Sequence, residues 1–174
     1  FNQYIGCGGR SVLKKALAKY INSPETDFFK KGFNLYNLNN SKKESTDTDK
    51  LVLVEGYMDV VSLYNKGVKN VAATLGTAIT TSQINLAWKN FDKIILCFDG
   101  DQSGLDASYR AAERVLKILK PGKDIYFAKI PNSQDPDDFI NQFGQNSFYS
   151  LLNQSSDISE IIFNYHAVNV DRSK

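Results

Sequence analysis

The sequence contains few of the residues that build disulfide frameworks or zinc sites. Its 174 residues include two cysteines, Cys7 and Cys97, and one histidine, His166. Because the cysteines lie far apart in different kinds of segment, neither a disulfide framework nor a Cys/His zinc site is expected. Any bound metal would therefore be held by oxygen ligands.

Long apolar runs are missing as well. No stretch approaches the roughly 20 apolar residues that span a bilayer, and the first residues lack the basic-then-apolar order of a signal peptide. We therefore expect a soluble, cytoplasmic protein with no membrane partner. The chain begins with Phe1 rather than Met, and both ends look cut from a longer protein.

Charge is divided unevenly along the chain. Residues 1–43 carry eight Lys or Arg against two acids, a net charge of +6, whereas the remainder carries a net charge of −4. This asymmetry favours a surface that faces a polyanion beside a surface that binds cations. Composition alone is explained equally well by solvated charge on two faces.

From Leu51 onward, short apolar runs alternate with helical patterns. This alternation predicts right-handed crossovers and an α/β fold with a mainly parallel sheet flanked by helices. Thr80 or Thr81 is expected to cap the second helix. Four strands are predicted, in the segments LVLV, VKNVAAT, KIILCF and DIYFAKI.

The flanking segments lack this alternation. The stretch from Asn37 to Lys50 has almost no apolar content and predicts an exposed linker. Beyond Pro136 we expect two or three helices, the last opening near Ser156 with Glu160 in its first turn.

Acidic residues follow three of the four predicted strands. Ligands of open parallel sheets sit outside the carboxyl ends of the strands, so these side chains should gather at one edge. They follow the first strand (Glu55, Asp59), the third strand (Asp99, Asp101) and the fourth strand (Asp135, Asp137, Asp138).

Like charges gathered at one edge repel one another, and a divalent cation relieves that repulsion. Carboxylate oxygens without nitrogen or sulfur donors suit Mg²⁺ or Mn²⁺. Taken singly, an acid after a strand is most often a helix cap or a turn residue. Gly56, Gly100 and Gly104 are expected to let the backbone turn sharply and admit a bulky ligand.

The order of these motifs resembles a known family. LVLVEGYMDVVSLYNKG, followed by TLGTAIT, CFDGDQSGLDA and DPDD, resembles the TOPRIM signature as it occurs in the RNA-polymerase domain of bacterial DnaG-type primases. GCGGR and KYINSPETDFFKKGFNLYNL are similar to that family's basic subdomain. The resemblance implies a TOPRIM-type domain at residues 49–144. A partial basic subdomain and linker would precede it at 1–48, and a truncated helical subdomain would follow at 145–174.

The resemblance also implies a function and its residues. Family members make short RNA primers on single-stranded DNA from ribonucleoside triphosphates at the replication fork, with Mg²⁺ or Mn²⁺. The implied catalytic residues are Glu55, Asp99 and Asp101. The implied metal ligands are Glu55, Asp59, Asp99, Asp101, Asp135 and Asp137. The residues implied to contact nucleotide and template are Arg10, Lys19, Tyr20, Asn22 and Lys31.

Family members carry two further domains that this sequence does not show, an amino-terminal zinc-binding domain and a carboxyl-terminal domain that docks on the replicative helicase. We therefore expect no zinc in this chain and weak activity from it alone. The partners implied are the template, the nucleotides, the RNA primer and, through the missing domain, the helicase.

Three alternatives remain open. An apolar strand that ends in Asp-x-Asp also opens the aspartyl phosphohydrolases, in which Asp99 would be the nucleophile. A second alternative is another TOPRIM enzyme, a nuclease or a topoisomerase. The third is a nucleic-acid-binding fragment without activity.

Several conspicuous residues are expected to be structural. His166 should lie at the surface near the end of a helix, and Tyr57 and Met58 should pack. The residues Phe28, Phe29, Phe33, Leu35 and Tyr36 are expected to form a small core rather than a stacking platform.

Overall fold

The computed structural model describes residues 3–12, 20–44, 50–76 and 78–171, and the statements below concern these ranges. The elements in chain order are β1 (Gly8–Arg10), β2 (Tyr20–Asn22), a 3₁₀ helix (Lys31–Phe33), α1 (Leu38–Glu44), β3 (Lys50–Val54), α2 (Tyr57–Asn65), β4 (Val71–Ala73), α3 (Thr81–Trp88), β5 (Lys93–Phe98), α4 (Gln102–Leu116), β6 (Asp124–Lys129), α5 (Pro136–Asn153), β7 (Ser156–Asp157) and α6 (Ile158–Asp171). In these ranges we find no helix with the length and apolar content needed to cross a membrane.

Five strands form the main sheet in the order β4-β3-β5-β6-β7. Strands β3, β4, β5 and β6 are mutually parallel, and only the two-residue β7 runs antiparallel to its neighbour. Helices connect the parallel strands, as the alternating pattern predicts. The predicted mainly parallel α/β fold is therefore confirmed.

The sheet is covered on both faces. Leu53 and Leu96 belong to a cluster that packs against α3 and α4, whereas Val52 and Ile95 belong to a second cluster that packs against α2 and α5. Successive residues of a strand point to opposite faces, so strands buried on both faces read as continuous apolar runs. This packing holds the carboxyl ends of β3, β5 and β6 in place.

The predicted exposed linker from Asn37 to Lys50 is wrong in its first half, which forms α1. Ser41 is fully buried, and its hydroxyl donates a hydrogen bond to the carbonyl of Val71 at 2.6 Å. Asn37 has a φ of 64° and its side chain also donates to Val71 O, at 2.9 Å. Polar side chains dock this helix on β4, which an apolar pattern cannot reveal.

Capping and helix breaks mostly follow the prediction. Thr80 caps α3, and its hydroxyl accepts a hydrogen bond from the backbone N–H of Gln83 at 3.1 Å. Helix α5 is interrupted at Gly144, where φ is 80° and ψ is 175°, and α6 has Glu160 in its first turn. The predicted helices after Pro136 are thereby confirmed, while the domain boundaries remain predictions.

Candidate metal centre and nucleic-acid interface

The six acids implied as metal ligands lie along the carboxyl edge of β3, β5 and β6. Glu55 directly follows β3, Asp99 directly follows β5, and Asp135 lies in the loop after β6. Electrostatic repulsion couples Glu55 with Asp99 and Asp101. It likewise couples Asp59 with Asp135, Asp99 and Asp137. The fold therefore brings together acids that are up to 82 residues apart in the chain.

Three of these acids also cap helices. Asp59 Oδ2 accepts from the backbone N–H of Gly56 at 3.0 Å, and Asp101 Oδ1 accepts from that of Gly104 at 2.8 Å. Asp135 Oδ1 accepts from the N–H of Asp138 at 2.7 Å. Each cap uses one carboxylate oxygen and turns the side chain into a fixed orientation. In the described ranges the second oxygen of each has no hydrogen bond, so capping and metal binding are compatible roles.

Burial and mutual repulsion raise the pKa of three acids at this edge. Burial is the largest cause for Asp59, Glu55 and Asp99, followed by repulsion from neighbouring carboxylates. The pKa of Asp59 reaches about 7. Within the described part of the chain, the single ion pair joins Lys123 and Asp92, away from this edge. A bound cation would relieve the repulsion.

The donor chemistry fits a hydrated divalent cation better than a closed cage. Across the described ranges, no three His, Cys, Asp or Glu side chains are close enough to hold a metal by themselves. Mg²⁺ commonly keeps several waters and takes one or two carboxylates together with substrate phosphates. One or two of Glu55, Asp99 and Asp101 would supply such carboxylate oxygens, with waters and phosphates as the other ligands.

The glycines at this edge have a different role from the one predicted. A Cβ on Gly104 would lie 1.9 Å from the carbonyl oxygen of Asp99, and one on Gly100 would lie 2.2 Å from that of Ile130. Neither glycine has a positive φ. Close approach of the chain to itself therefore requires glycine at these two positions, and a positive φ does not. The expectation that they admit a ligand stays a prediction.

The Asp-Gly-Asp turn is braced by the loop after β6. The N–H of Gly100 donates to the carbonyl of Gln134 at 2.9 Å. Asn132 and Ser133 in the same loop have φ values of 58° and 54°, a conformation that non-glycine residues seldom adopt. Gln134 Oε1 is buried without a hydrogen-bond partner in the described structure. The two acid-bearing loops therefore form one unit.

The loop after β4 braces the other side of the edge. The N–H of Gly76 donates to the carbonyl of Glu55 at 3.3 Å, and Leu75 has a φ of 66°. This loop is the TLGTAIT segment, which the sequence marked by resemblance alone and without a physical role.

Arg10, Tyr20 and Asn22 come together on the β1–β2 hairpin. Arg10 pairs with Tyr20 across the hairpin, and its guanidinium lies 5.7 Å from the centroid of the Tyr20 ring. The Tyr20 ring in turn lies 5.5 Å from that of Tyr57. Asn22 Nδ2 donates to the carbonyl of Leu75 at 3.5 Å. These contacts seat the hairpin beside the Glu55 end of the acidic edge.

Tyr57 is the residue that fastens the hairpin to α2. Its hydroxyl donates to the carbonyl of Gly9 at 2.7 Å. Its ring also lies 6.0 Å from that of Tyr36. The prediction that Tyr57 packs is confirmed, and its contacts give it the further task of holding the hairpin.

The structure does not link the two remaining candidates to this edge. Lys31 lies in the 3₁₀ helix, where its N–H donates to Glu25 Oε1 at 3.0 Å and its carbonyl accepts from Gln83 Nε2 at 2.9 Å. No contact among the described residues joins Lys31 to an acid of the edge. Lys19 lies outside the described residues.

Two structural expectations have different outcomes. The small core predicted for the Phe28 to Tyr36 segment is wrong, because only Phe29 is buried in it, while Phe28 is 82% and Phe33 is 62% exposed. His166 is exposed on α6, as predicted, with Nε2 3.2 Å from the hydroxyl of Tyr109.

Sequence analysis missed one cation. Arg110, an exposed residue of α4, is the group that lowers the pKa of Glu55, against the three causes that raise it. Nothing in the local sequence marks it, because it is 55 residues from Glu55 and its helix also carries other surface charges.

Two family models match the parts of the chain that carry the acidic edge and the hairpin. Residues 52–140 match the family described as Toprim-like, and residues 1–42 match the N-terminal domain of the DNA primase catalytic core. A DNA primase from Legionella pneumophila is 43% identical over 159 residues, which cover 91% of this chain and 28% of that protein.

Solved structures of DNA primase domains also superimpose on this chain. A DNA primase domain from Pseudomonas aeruginosa superimposes with a TM-score of 0.89 at 39% identity, covering 95% of this chain and 51% of that one. A DnaG primase catalytic domain bound to single-stranded DNA gives 0.86 at 38% identity, covering 92% and 52%. The chain spans less than a third of the length of the curated relatives that it matches. It belongs to the Toprim-like family and carries the N-terminal and Toprim domains of a DnaG-type DNA primase.

Proposed function

We propose that this chain is the catalytic core of a DNA primase, which makes short RNA primers on single-stranded DNA by metal-dependent nucleotidyl transfer. One observation carries the proposal: coupled carboxylates at three strand ends lie beside an exposed hairpin with an arginine and a tyrosine. The relatives support it, since those described above are DNA primases and one related catalytic domain is solved with single-stranded DNA.

In this proposal Asp99 and Asp101 hold Mg²⁺ or Mn²⁺, with Glu55 as a third ligand or as the base. When bound, such cations activate the 3′ hydroxyl and neutralise the triphosphate and the leaving pyrophosphate. Burial and repulsion raise the pKa of Glu55, so it can accept the hydroxyl proton nearer neutral pH than an ordinary carboxylate. Asp59, Asp135 and Asp137 supply the second group of acids along the same edge.

In this proposal the β1–β2 hairpin guides the single-stranded DNA and the incoming nucleotide. Arginine can form two parallel hydrogen bonds to a phosphate, and Tyr20 offers a ring face on which an unpaired base can stack. We assign Asn22, Lys19 and Lys31 to the same strand-guiding group. The substrates are ribonucleoside triphosphates and the growing RNA primer, and the replicative helicase would bind through a domain outside this chain. The site of action is the bacterial cytoplasm, at the replication fork.

No observation favours the alternatives. An aspartyl phosphohydrolase would use Asp99 as nucleophile. That alternative gives no task to Glu55 or to the hairpin. A nuclease or topoisomerase of the same family does not explain the match of residues 1–42.

The test is primer synthesis and primer extension on single-stranded DNA, with Mg²⁺ or Mn²⁺, in the parent and in Asp99→Ala and Glu55→Gln. Because the chain spans a fraction of its relatives, we expect weak activity in the parent, so extension of a pre-annealed primer is measured alongside synthesis. Both variants should lose about 10²-fold to 10³-fold in rate, as expected for groups that stabilise developing charge.

The matched control is Asp138→Asn, which changes an exposed acid in the first turn of α5, three residues after Asp135. Asp138 is not among the acids that raise the pKa of Asp59. The control variant should keep the rate of the parent. Equal rates in all four proteins, or activity without a divalent cation, would contradict the proposal.

A further inference from the structure

We infer that Arg110 is a phosphate-contacting residue of the metal centre, reaching across from α4 toward a phosphate bound at Glu55 and Asp99. The inference rests on the proposed nucleotidyl transfer. Its phosphate comes from one of two sources, the triphosphate of the nucleotide or the backbone of the nucleic-acid strand.

Arg114, one helical turn after Arg110, indicates which way this face of α4 points. Arg114 Nη1 donates to the carbonyl of Ile79 at 3.0 Å, so this face of α4 looks toward the loop between β4 and α3. Residues four apart lie on the same helix face, so Arg110 faces the same way. The loop that it faces is the one whose Gly76 bonds the carbonyl of Glu55.

The direction of α4 places Arg110 closer to the acids than Arg114. The helix begins at its cap Asp101, at the carboxyl edge of the sheet, and runs away from it. Four residues correspond to about 6 Å along a helix, so Arg110 is nearer the edge by that distance. Its charge is felt at Glu55, whose pKa it lowers.

Arg110 has no structural partner that would explain this position. It is exposed, and within the described ranges it makes neither a hydrogen bond nor an ion pair, whereas Arg114 is engaged. The Arg110 guanidinium therefore has N–H donors that no acceptor among the described residues uses. A phosphate that shares a cation with the acids has further oxygens that need a donor, and this guanidinium can supply one.

The test compares Arg110→Ala and Arg110→Lys with Lys117→Ala, which removes an exposed cation at the far end of the same helix. Three affinities are measured for each protein: Mn²⁺ alone, a ribonucleoside triphosphate with Mn²⁺, and a single-stranded oligonucleotide. Thermal unfolding checks that each variant is folded.

We expect Arg110→Ala to weaken one phosphate ligand by about 10-fold to 100-fold, the range of a charge-assisted hydrogen bond. Arg110→Lys should recover part of the loss, and Lys117→Ala should behave as the parent. Affinity for Mn²⁺ alone should stay equal or rise, because a repelling charge has been removed. A loss for the triphosphate assigns the contact to the nucleotide, and a loss for the oligonucleotide assigns it to the strand.

Three outcomes would overturn the inference. Unchanged affinity for both phosphate ligands in Arg110→Ala would show that the residue is solvated charge, and so would an equal loss in Lys117→Ala. A parallel loss of Mn²⁺ and phosphate affinity would show that Arg110 holds the acids in place. Failure of the proposed function is distinguishable, because then the parent itself would bind neither the triphosphate nor the oligonucleotide.

Discussion

The acidic edge of the sheet and the β1–β2 hairpin are held in place by different kinds of contact. At the edge, Glu55 and Asp99 follow strands that are buried on both faces, and Gly104 lets the chain approach itself closely. The hairpin has three residues in each strand and is largely exposed, and Tyr57 and Asn22 connect it to the rest.

The difference corresponds to what each region would have to do. Metal-dependent transfer requires carboxylates held in one arrangement, which a packed sheet supplies at the cost of burying like charges. A nucleic-acid strand of variable sequence is held through its phosphates and through bases that stack on aromatic side chains, and such contacts tolerate different bases. A buried edge beside an exposed hairpin therefore fits the proposed template-directed chemistry.

The largest effect is expected from a methyl group placed at the edge. In Gly104→Ala the added Cβ would lie 1.9 Å from the carbonyl oxygen of Asp99, a backbone atom that cannot move aside as a flexible side chain can. Although alanine favours helix, this overlap should lower the free energy of unfolding by about 3 kcal/mol. Urea unfolding measures it.

The hairpin offers the matched control. A Cβ on Gly9 would find its nearest neighbour, the carbonyl oxygen of Ile21, at 3.9 Å. Gly9→Ala should therefore change stability by less than about 0.5 kcal/mol. Similar losses in the two variants would contradict the contrast between a tightly packed edge and an exposed hairpin.

A second prediction concerns the repulsion held at the edge. The pKa of Asp59 rises from an ordinary value of 3.8 to about 7 in the folded chain. Between those two pKa values the folded state keeps a proton that the unfolded state has released, so stability falls as pH rises and the loss is complete near pH 8. From pH 5 to pH 8, without divalent cations, Asp59 should lower the free energy of unfolding by about 2 to 3 kcal/mol.

Asp59→Asn isolates this contribution, because an asparagine oxygen can still accept the hydrogen bond from Gly56. Relative to the parent, the variant should gain stability between pH 5 and pH 8 in chemical unfolding with chelator present. Saturating Mg²⁺ at pH 8 should stabilise the parent. The idea fails if the stability difference between parent and variant is independent of pH.

The smallest effect tests the attachment of the hairpin. Tyr57→Phe removes the hydroxyl that donates to Gly9 and keeps the ring beside Tyr20. We expect a loss of about 1 kcal/mol in hairpin stability, seen as faster amide exchange at Ile21, and roughly fivefold weaker binding of single-stranded DNA. Affinity for Mn²⁺ should not change.

Tyr149→Phe serves as the control, since Tyr149 is a partly exposed tyrosine of α5, remote from the hairpin in sequence. Equal weakening of DNA binding in both variants would refute a specific role for the Tyr57 hydroxyl.

The features of the fold that were predicted correctly depend on patterns within single segments. The strands KIILCF and DIYFAKI, the cap at Thr80 and the acids at strand ends depend on neighbours a few residues away, and the structure has them as predicted. Helix α1 was missed because polar side chains such as Asn37 and Ser41 dock it, and they leave no apolar stripe.

The sequence by itself determined the alternation of strands and helices, because side-chain periodicity is a property of each segment. The alternation implies parallel strands, and parallel strands place the acids that follow them at one edge of the sheet. The tertiary structure alone decided which acids repel one another, why Gly104 must be glycine and that Arg110 acts on Glu55. Coulomb forces and steric overlap depend on distances through space, and here those distances join residues from different loops and helices.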